Sequence, residues 1–214
     1  MAKLKRIASP LLFGFGMMIY IFLINYIPIA HTGIDVNAIN ESILIRFLID
    51  IIGIGLPVAV IFLIAKKQNI PLVELGFTKK RLSLAFILLG IFVAVFIFDR
   101  NFTGLNFFTT FVSRLIFLSI GGAIIWRGYI FTQLNKKMGF ILAAAIASLF
   151  FAIPFFFGVS IEARAIYFDL LAFIALFLLG IIFAFILKKS ESIWITGFAQ
   201  AIFLHMHFLI ILHV

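Results

Sequence analysis

Apolar positions along this chain come in seven long runs, at roughly 11–29, 43–65, 82–98, 109–134, 139–158, 166–187 and 192–213, with short polar or basic segments between them. A hydrocarbon core ~30 Å thick is crossed by ~20 residues of helix. The pattern therefore predicts an all-α, polytopic membrane bundle of about seven transmembrane helices. The longest polar stretches, near 30–42 and 66–81, are loop-sized, so residues 1–214 read as a single membrane domain. Within 66–81, the run Ile70-Pro71-Leu72-Val73-Glu74-Leu75-Gly76-Phe77 predicts either an interfacial hairpin or short helix on the membrane surface, or a solvated connector.

Composition agrees with this reading. The chain is 65% hydrophobic and 12% charged, contains 30 phenylalanines in 214 residues and has a mean hydropathy of +1.29, outside the usual range of soluble domains. With no cysteine, disulfides, thiolate nucleophiles and Cys-based metal sites are excluded. The start Met-Ala-Lys-Leu-Lys-Arg followed by apolar residues imitates a secretory signal, but no small-residue cleavage pattern closes it; a retained first span is expected.

The net charge of +9 is not arranged as a nucleic-acid-binding face, because the cations fall in short clusters between apolar runs. One set of helix ends holds Lys3, Lys5, Arg6, Lys66, Lys67, Lys79, Lys80, Arg81, Lys136, Lys137, Lys188 and Lys189. The other holds Arg46, Arg100, Arg114 and Arg164, mixed with Asp35, Glu41, Asp99 and Glu162. Basic loops stay cytoplasmic, so the expected topology is a multi-pass cell-membrane protein with its N-terminus inside and its C-terminus outside.

Arg127 is the residue that points to chemistry. It stands in Gly121-Gly122-Ala123-Ile124-Ile125-Trp126-Arg127-Gly128-Tyr129, nine residues before Lys136, or ~13 Å along a helix at 1.5 Å per residue. A charge at mid-span costs ~2.5–3.5 kcal/mol on insertion scales and is normally compensated by a partner or cavity. One reading is an arginine that snorkels toward the cytoplasmic interface; the other is a functional site. Asp50 is the carboxylate placed well within a span and is the candidate charge partner. It either pairs with Arg46 one turn away on its own helix, or reaches across helices to Arg127 or Arg114.

His205, His207 and His213 cluster in the last run, with His31 in an outer loop. His205 and His207 are two apart and project from nearly opposite sides of a helix, which rules them out as a one-face metal pair. They read as interfacial histidines of the outer leaflet. No metal-ligand pattern is present, and no cofactor is expected. The small residues Gly121, Gly122 and Ala123 provide either a packing seam for a neighbouring helix or a groove for a partner helix or peptide.

The stretch Arg127-Gly128-Tyr129 resembles the CPBP family, the CAAX-protease and bacteriocin-processing membrane proteins also called the Abi family. Members carry two glutamates, three apolar residues, then arginine, glycine and often tyrosine; here Gly122 and Ala123 stand at the glutamate positions. The next family landmark pairs a phenylalanine with a histidine four residues on. Phe151 fits it, and Phe155 stands in place of the histidine. The last landmark sets a histidine about six residues after Ile-Trp and an asparagine four later. After Ser192-Ile193-Trp194, those positions are Gln200 and Leu204. Leu75-Gly76-Phe77 before Lys79-Lys80-Arg81 resembles the connector preceding the family's core, so the resemblance spans about 70–210.

In an active member the resemblance implies a carboxylate-activated water assisted by histidines inside the bilayer. Gly122, Ala123 and Phe155 accept no proton, and Gln200 only hydrogen-bonds. The expectation is a non-catalytic pseudo-protease that binds a membrane protein or hydrophobic peptide in the lipid bilayer, in bacteriocin self-immunity or cell-envelope regulation. Arg127→Ala should then alter folding or partner binding and leave proteolysis unchanged. The alternative is an active CAAX-type intramembrane endopeptidase with a rearranged site, in which Asp50, His205 or Gln200 would converge on Arg127. A small transporter, with Pro57 and Pro154 breaking helices, ranks below both because few intramembrane polar residues accompany them.

Overall fold

The computed structural model describes residues 2–32, 43–98, 104–160, 165–168 and 170–212. Seven helical rods run through these residues, one for each apolar run. They are α1 (Ala2–Thr32), α2 (Ile43–Asp50, a π-helical stretch Ile51–Gly55, then Leu56–Lys67) and α3 (Leu82–Phe98). After α3 come α4, α5 (Phe140–Phe156), α6 (Leu170–Ser190) and α7 (Ile193–Leu212). α4 comprises Gly104–Val112, two π-helical stretches Ser113–Gly121 and Ile124–Phe131, and Thr132–Met138. Phe47–Lys67, Phe107–Met138 and Leu170–Ser190 are each long and apolar enough to cross a membrane. Ala8–Ile21, Leu82–Phe98, Phe140–Ile153 and Ile193–Met206 are shorter apolar helices. The fold is an all-helical membrane bundle.

One local departure lies between α5 and α6. The sixth run was expected to begin near 166, yet β1 (Phe157–Ser160) and β2 (Ala165–Phe168) form a two-stranded antiparallel hairpin, with Phe157 opposite Phe168 and Val159 opposite Ile166. Aromatic and β-branched residues favour a pleated pairing, and Gly158 and Ser160 are poor helix formers. An apolar run alone does not tell a short strand from the end of a buried helix.

α4 is the centre of the bundle. Its residues 121–131 are buried without interruption, with α1, α2, α5, α6 and α7 packed around its second π-helical stretch. α5 lies along α6, while α7 packs along the first π-helical stretch of α4 and along α3. Surfaces turned away from α4 carry exposed Leu, Ile and Phe, such as Leu63, Phe86, Phe98 and Leu171, as expected where lipid replaces water.

The 66–81 connector is neither a free loop nor a purely interfacial helix. It holds one 3-10 turn, Leu72–Leu75. Leu72 and Val73 face outward at 50% and 64% exposure, and Leu75 is fully buried. Gly76 follows with φ +90°, a left-handed conformation that costs other L-residues roughly 1–2 kcal/mol. Its carbonyl accepts a 2.7 Å hydrogen bond from the Ile193 N–H at the start of α7. The connector also presses its Leu75 carbonyl against Gly128 of α4, where an added Cβ would stand 2.9 Å from that oxygen. Sequence reasoning took Gly128 as a family mark; packing shows why a side chain does not fit there.

Two exposed ion pairs reinforce the clamp, Lys80–Glu191 and Lys136–Glu74, and the Thr78 hydroxyl donates to the Glu191 carbonyl at 2.7 Å. Such pairs are screened by salt and contribute little individually. The Lys80 ammonium, first by hydrogen bond and then by charge, holds the Glu191 carboxyl below its ordinary range. A depressed folded value means the contribution is present above the unfolded value and is lost as pH falls through the folded one. Because the Phe77 and Trp194 rings meet edge-on, 5.8 Å apart, Trp194 reports on this clamp. With Trp126→Phe as background, Trp194 emission is expected to shift on acidification below the carboxylate range. Glu191→Gln should flatten that shift.

Candidate functional site

The π-helical winding of α4 closes i to i+5 bonds instead of i to i+4, as in Thr132 N–H to the Arg127 carbonyl. Such windings are uncommon and occur frequently at functional sites. Between these two stretches lie Gly122 and Ala123, which the resemblance aligns with the family's glutamates. An added Cβ on Gly122 would stand 3.0 Å from Gln200 Nε2. That amide donates to the Leu118 carbonyl at 3.0 Å, while Gln200 Oε1 is buried and meets no hydrogen-bond donor among the described residues. Two motif positions 78 residues apart in sequence are thus adjacent. Ala123 is fully buried, and Leu204, one turn beyond Gln200, packs at the edge of the same core.

Gly121 is the packing seam on the other side: an added Cβ would lie 2.5 Å from Ile54 Cγ2 of α2. Of the two readings of the small-residue stripe, the described structure has the seam. Side chains of α2 fill the space beside Gly121 and Gln200 of α7 fills that beside Gly122.

Arg127 does not snorkel. It is 1% exposed, and its Cζ sits 4.1 Å from the Phe151 ring centroid and 5.5 Å from that of Phe183. Arg127 and Phe151, both motif positions, are therefore stacked. Neither Nη1 nor Nη2 has a hydrogen-bond partner among the described residues. Trp126 meets the Phe151 ring with centroids 6.5 Å apart. Tyr129 packs edge-on against Phe13 at 5.4 Å, and its hydroxyl shares a 3.1 Å hydrogen bond with Ser9 of α1. The Phe155 side chain lies outside the described residues.

Asp50 is placed elsewhere. Its carboxylate accepts a hydrogen bond from the Ser113 hydroxyl, and the adjacent Arg114 is hydrogen-bonded through Nη1 to His205 Nδ1. Asp50, Ser113, Arg114 and His205 thus join α2, α4 and α7 in a second polar layer, distinct from Arg127. The cross-helix option toward Arg127 does not occur, and the Arg46 side chain lies outside the described residues. The expectation of an interfacial His205 is corrected. It is fully buried, its ring 4.9 Å from Phe96 and 6.1 Å from Phe92. A hydrogen bond to arginine and an aromatic shell offset the burial of an imidazole that sequence alone would leave at the interface. His31, His207 and His213 lie outside the described side chains.

Sequence reasoning passed over Ser113, Phe183 and Ser9. Ser113 stood next to Arg114 in an apolar run and was legible as a polar neighbour; Phe183 is one phenylalanine among many and carried no signal. Among the described residues no cluster of three His, Cys, Asp or Glu is positioned to hold a metal ion.

Comparison with known proteins yields one family. Residues 104–206 match the model described as type II CAAX prenyl endopeptidase Rce1-like. No curated protein and no solved structure matches the chain. The matched segment contains all of α4, α5 and α6 and most of α7, including the Gly122–Gln200 contact and the Arg127–Phe151 stack. Residues 104–206 are thus similar to the Rce1-like, CPBP family of CAAX prenyl endopeptidase-type membrane proteins.

Proposed function

We propose that this protein is a non-catalytic member of its family, which holds a membrane partner or hydrophobic peptide without cutting it, in a role such as bacteriocin self-immunity or cell-envelope regulation. The observation that carries this reading is the Gly122–Gln200 contact. Where a carboxylate and an imidazole would face each other, a hydrogen atom faces a carboxamide, and neither accepts a proton near neutral pH. A rearranged active site would need Asp50, Gln200 or His205 beside Arg127. Asp50 is hydrogen-bonded to Ser113, His205 to Arg114 and Gln200 to the Leu118 carbonyl.

The test compares protein N-termini in membranes from cells lacking the chain, cells restored with it, and cells restored with Arg127→Ala. No cleavage site should depend on the intact chain. Sites that appear only with it, and that the purified protein reproduces, would overturn the reading.

The proposal extends to architecture: one membrane domain over 1–214 with a family core of about 70–210, N-terminus inside and C-terminus outside. The clamp of residues 72–80 onto α4 and α7 supports counting the connector with the core. A tag at Met1 should be shielded from outside and one at Val214 reachable. Both ends on one side would contradict the odd number of spans.

A further inference from the structure

The three described carboxylates are all engaged away from Arg127: Asp50 with Ser113, Glu74 with Lys136, and Glu191 with Lys80. Yet the guanidinium is buried in a span, both of its terminal nitrogens lacking an acceptor among the described residues. Phe151 covers one face as a cation–π contact, which leaves the in-plane N–H groups unsatisfied, and cation–π contact compensates a charge only in part. Nη1 and Nη2 together form the fork that binds a carboxylate through two parallel hydrogen bonds. Ser148, three residues before Phe151 on α5, has a buried hydroxyl that packs against Gly180 of α6 and has no hydrogen-bond partner among the described residues.

A cavity of about 230 Å³ opens at the connector end of the bundle, between Gly76, Phe131, Thr132, Leu187 and Lys188. Phe131 lies four residues beyond Arg127, and Leu187 four beyond Phe183, so two of the lining residues stand about one helical turn along the backbone from residues that surround the guanidinium.

We propose that Arg127 anchors a binding site for a carboxylate carried on an apolar chain, reached past Phe131 and Leu187. The ligand supplies from outside the negative charge that Gly122 and Ala123 do not. This rests on the non-catalytic reading and names the chemistry of what is held. A carboxylate of this kind comes either from an intramembrane Asp or Glu of a partner helix or from a fatty acid.

The test uses the full chain in lipid nanodiscs, following thermal unfolding with four probes: decanoate, decanol, and two otherwise identical apolar transmembrane peptides with one mid-span Glu or Gln. Decanoate at saturation should raise the midpoint above the decanol value by roughly 5 °C or more, and Arg127→Gln should abolish the difference. An equal gain from the Glu peptide over the Gln peptide assigns the carboxylate to a partner helix; a gain with decanoate alone assigns it to a fatty acid. Both support the site. Equal midpoints within both probe pairs, or a difference that survives in Arg127→Gln, would overturn it. Should Arg127→Gln fail to fold, Ala123→Glu serves instead. It places a carboxylate four residues before the arginine on one helix side and should abolish the response by satisfying Arg127 internally. Chain-dependent proteolysis would sink the non-catalytic reading without altering these midpoints. A captured partner that binds independently of its carboxylates would sink only the site.

Discussion

Arg127→Met is expected to stabilise the ligand-free protein by about 1–3 kcal/mol. Burying a charge without a counter-charge costs several kcal/mol even after relaxation, and well-packed apolar replacements of buried charged groups are often stabilising by about 1–4 kcal/mol. Against this stands the loss of the Phe151 and Phe183 contacts, worth about 0.5–2 kcal/mol for a desolvated cation–π pair. Methionine approximates the aliphatic stem and fills irregular space, so the cavity penalty is small. The measurement is thermal unfolding of wild type and variant in the same nanodiscs, where each kcal/mol corresponds to about 2–4 °C for a chain of this size. A drop of similar size would mean that the guanidinium is internally satisfied, and the carboxylate-binding site would lose its motive. A gain in stability accompanied by loss of partner binding is the expected signature of a residue kept for function rather than for folding.

The second large effect is at Gly76. Gly76→Val is expected to destabilise the bundle by roughly 2–5 kcal/mol, combining the left-handed backbone penalty with overpacking of a tight site. A Cβ there would lie 3.0 Å from Leu187 Cδ1 and 3.1 Å from the Ile193 nitrogen, one a side chain able to give and the other backbone that cannot. The strain falls on the Ile193 N–H to Gly76 carbonyl bond. The connector should therefore detach from α7 before the helices separate. Hydrogen exchange should show early loss of protection at Ile193, with α4 retained. Unchanged protection at Ile193 would mean the connector is not what holds the start of α7.

Both effects depend on features that sequence reveals to different degrees. The seven helices were legible because an apolar run of about 20 residues has few other solutions in a bilayer, where backbone groups must be satisfied internally. Their ends were less so. The β hairpin at 157–168 replaced the expected start of the sixth span, since apolar content does not distinguish a pleated from a helical ending. Arg127 stood out because charge in an apolar helix is costly, and the motif spacing related Gly122, Gln200 and Phe151 to it as family positions. Spacing could not show that Gly122 touches Gln200, which takes two helices side by side.

His205 and Asp50 show the limit most clearly. Local sequence placed His205 at the interface and left Asp50 open between Arg46, Arg127 and Arg114. Bringing α2, α4 and α7 together buried the histidine against Arg114 and gave Asp50 the Ser113 hydroxyl. What sequence alone determined is the membrane class, the number of helices and the absence of a proton-accepting side chain at Gly122, Ala123 and Phe155, because these follow from composition, run length and residue identity. Tertiary structure decided which polar groups are satisfied and which are not. Among the described residues, three carboxylates found partners across the fold while the Arg127 guanidinium did not, and such pairings depend on distances between helices that no single helix encodes.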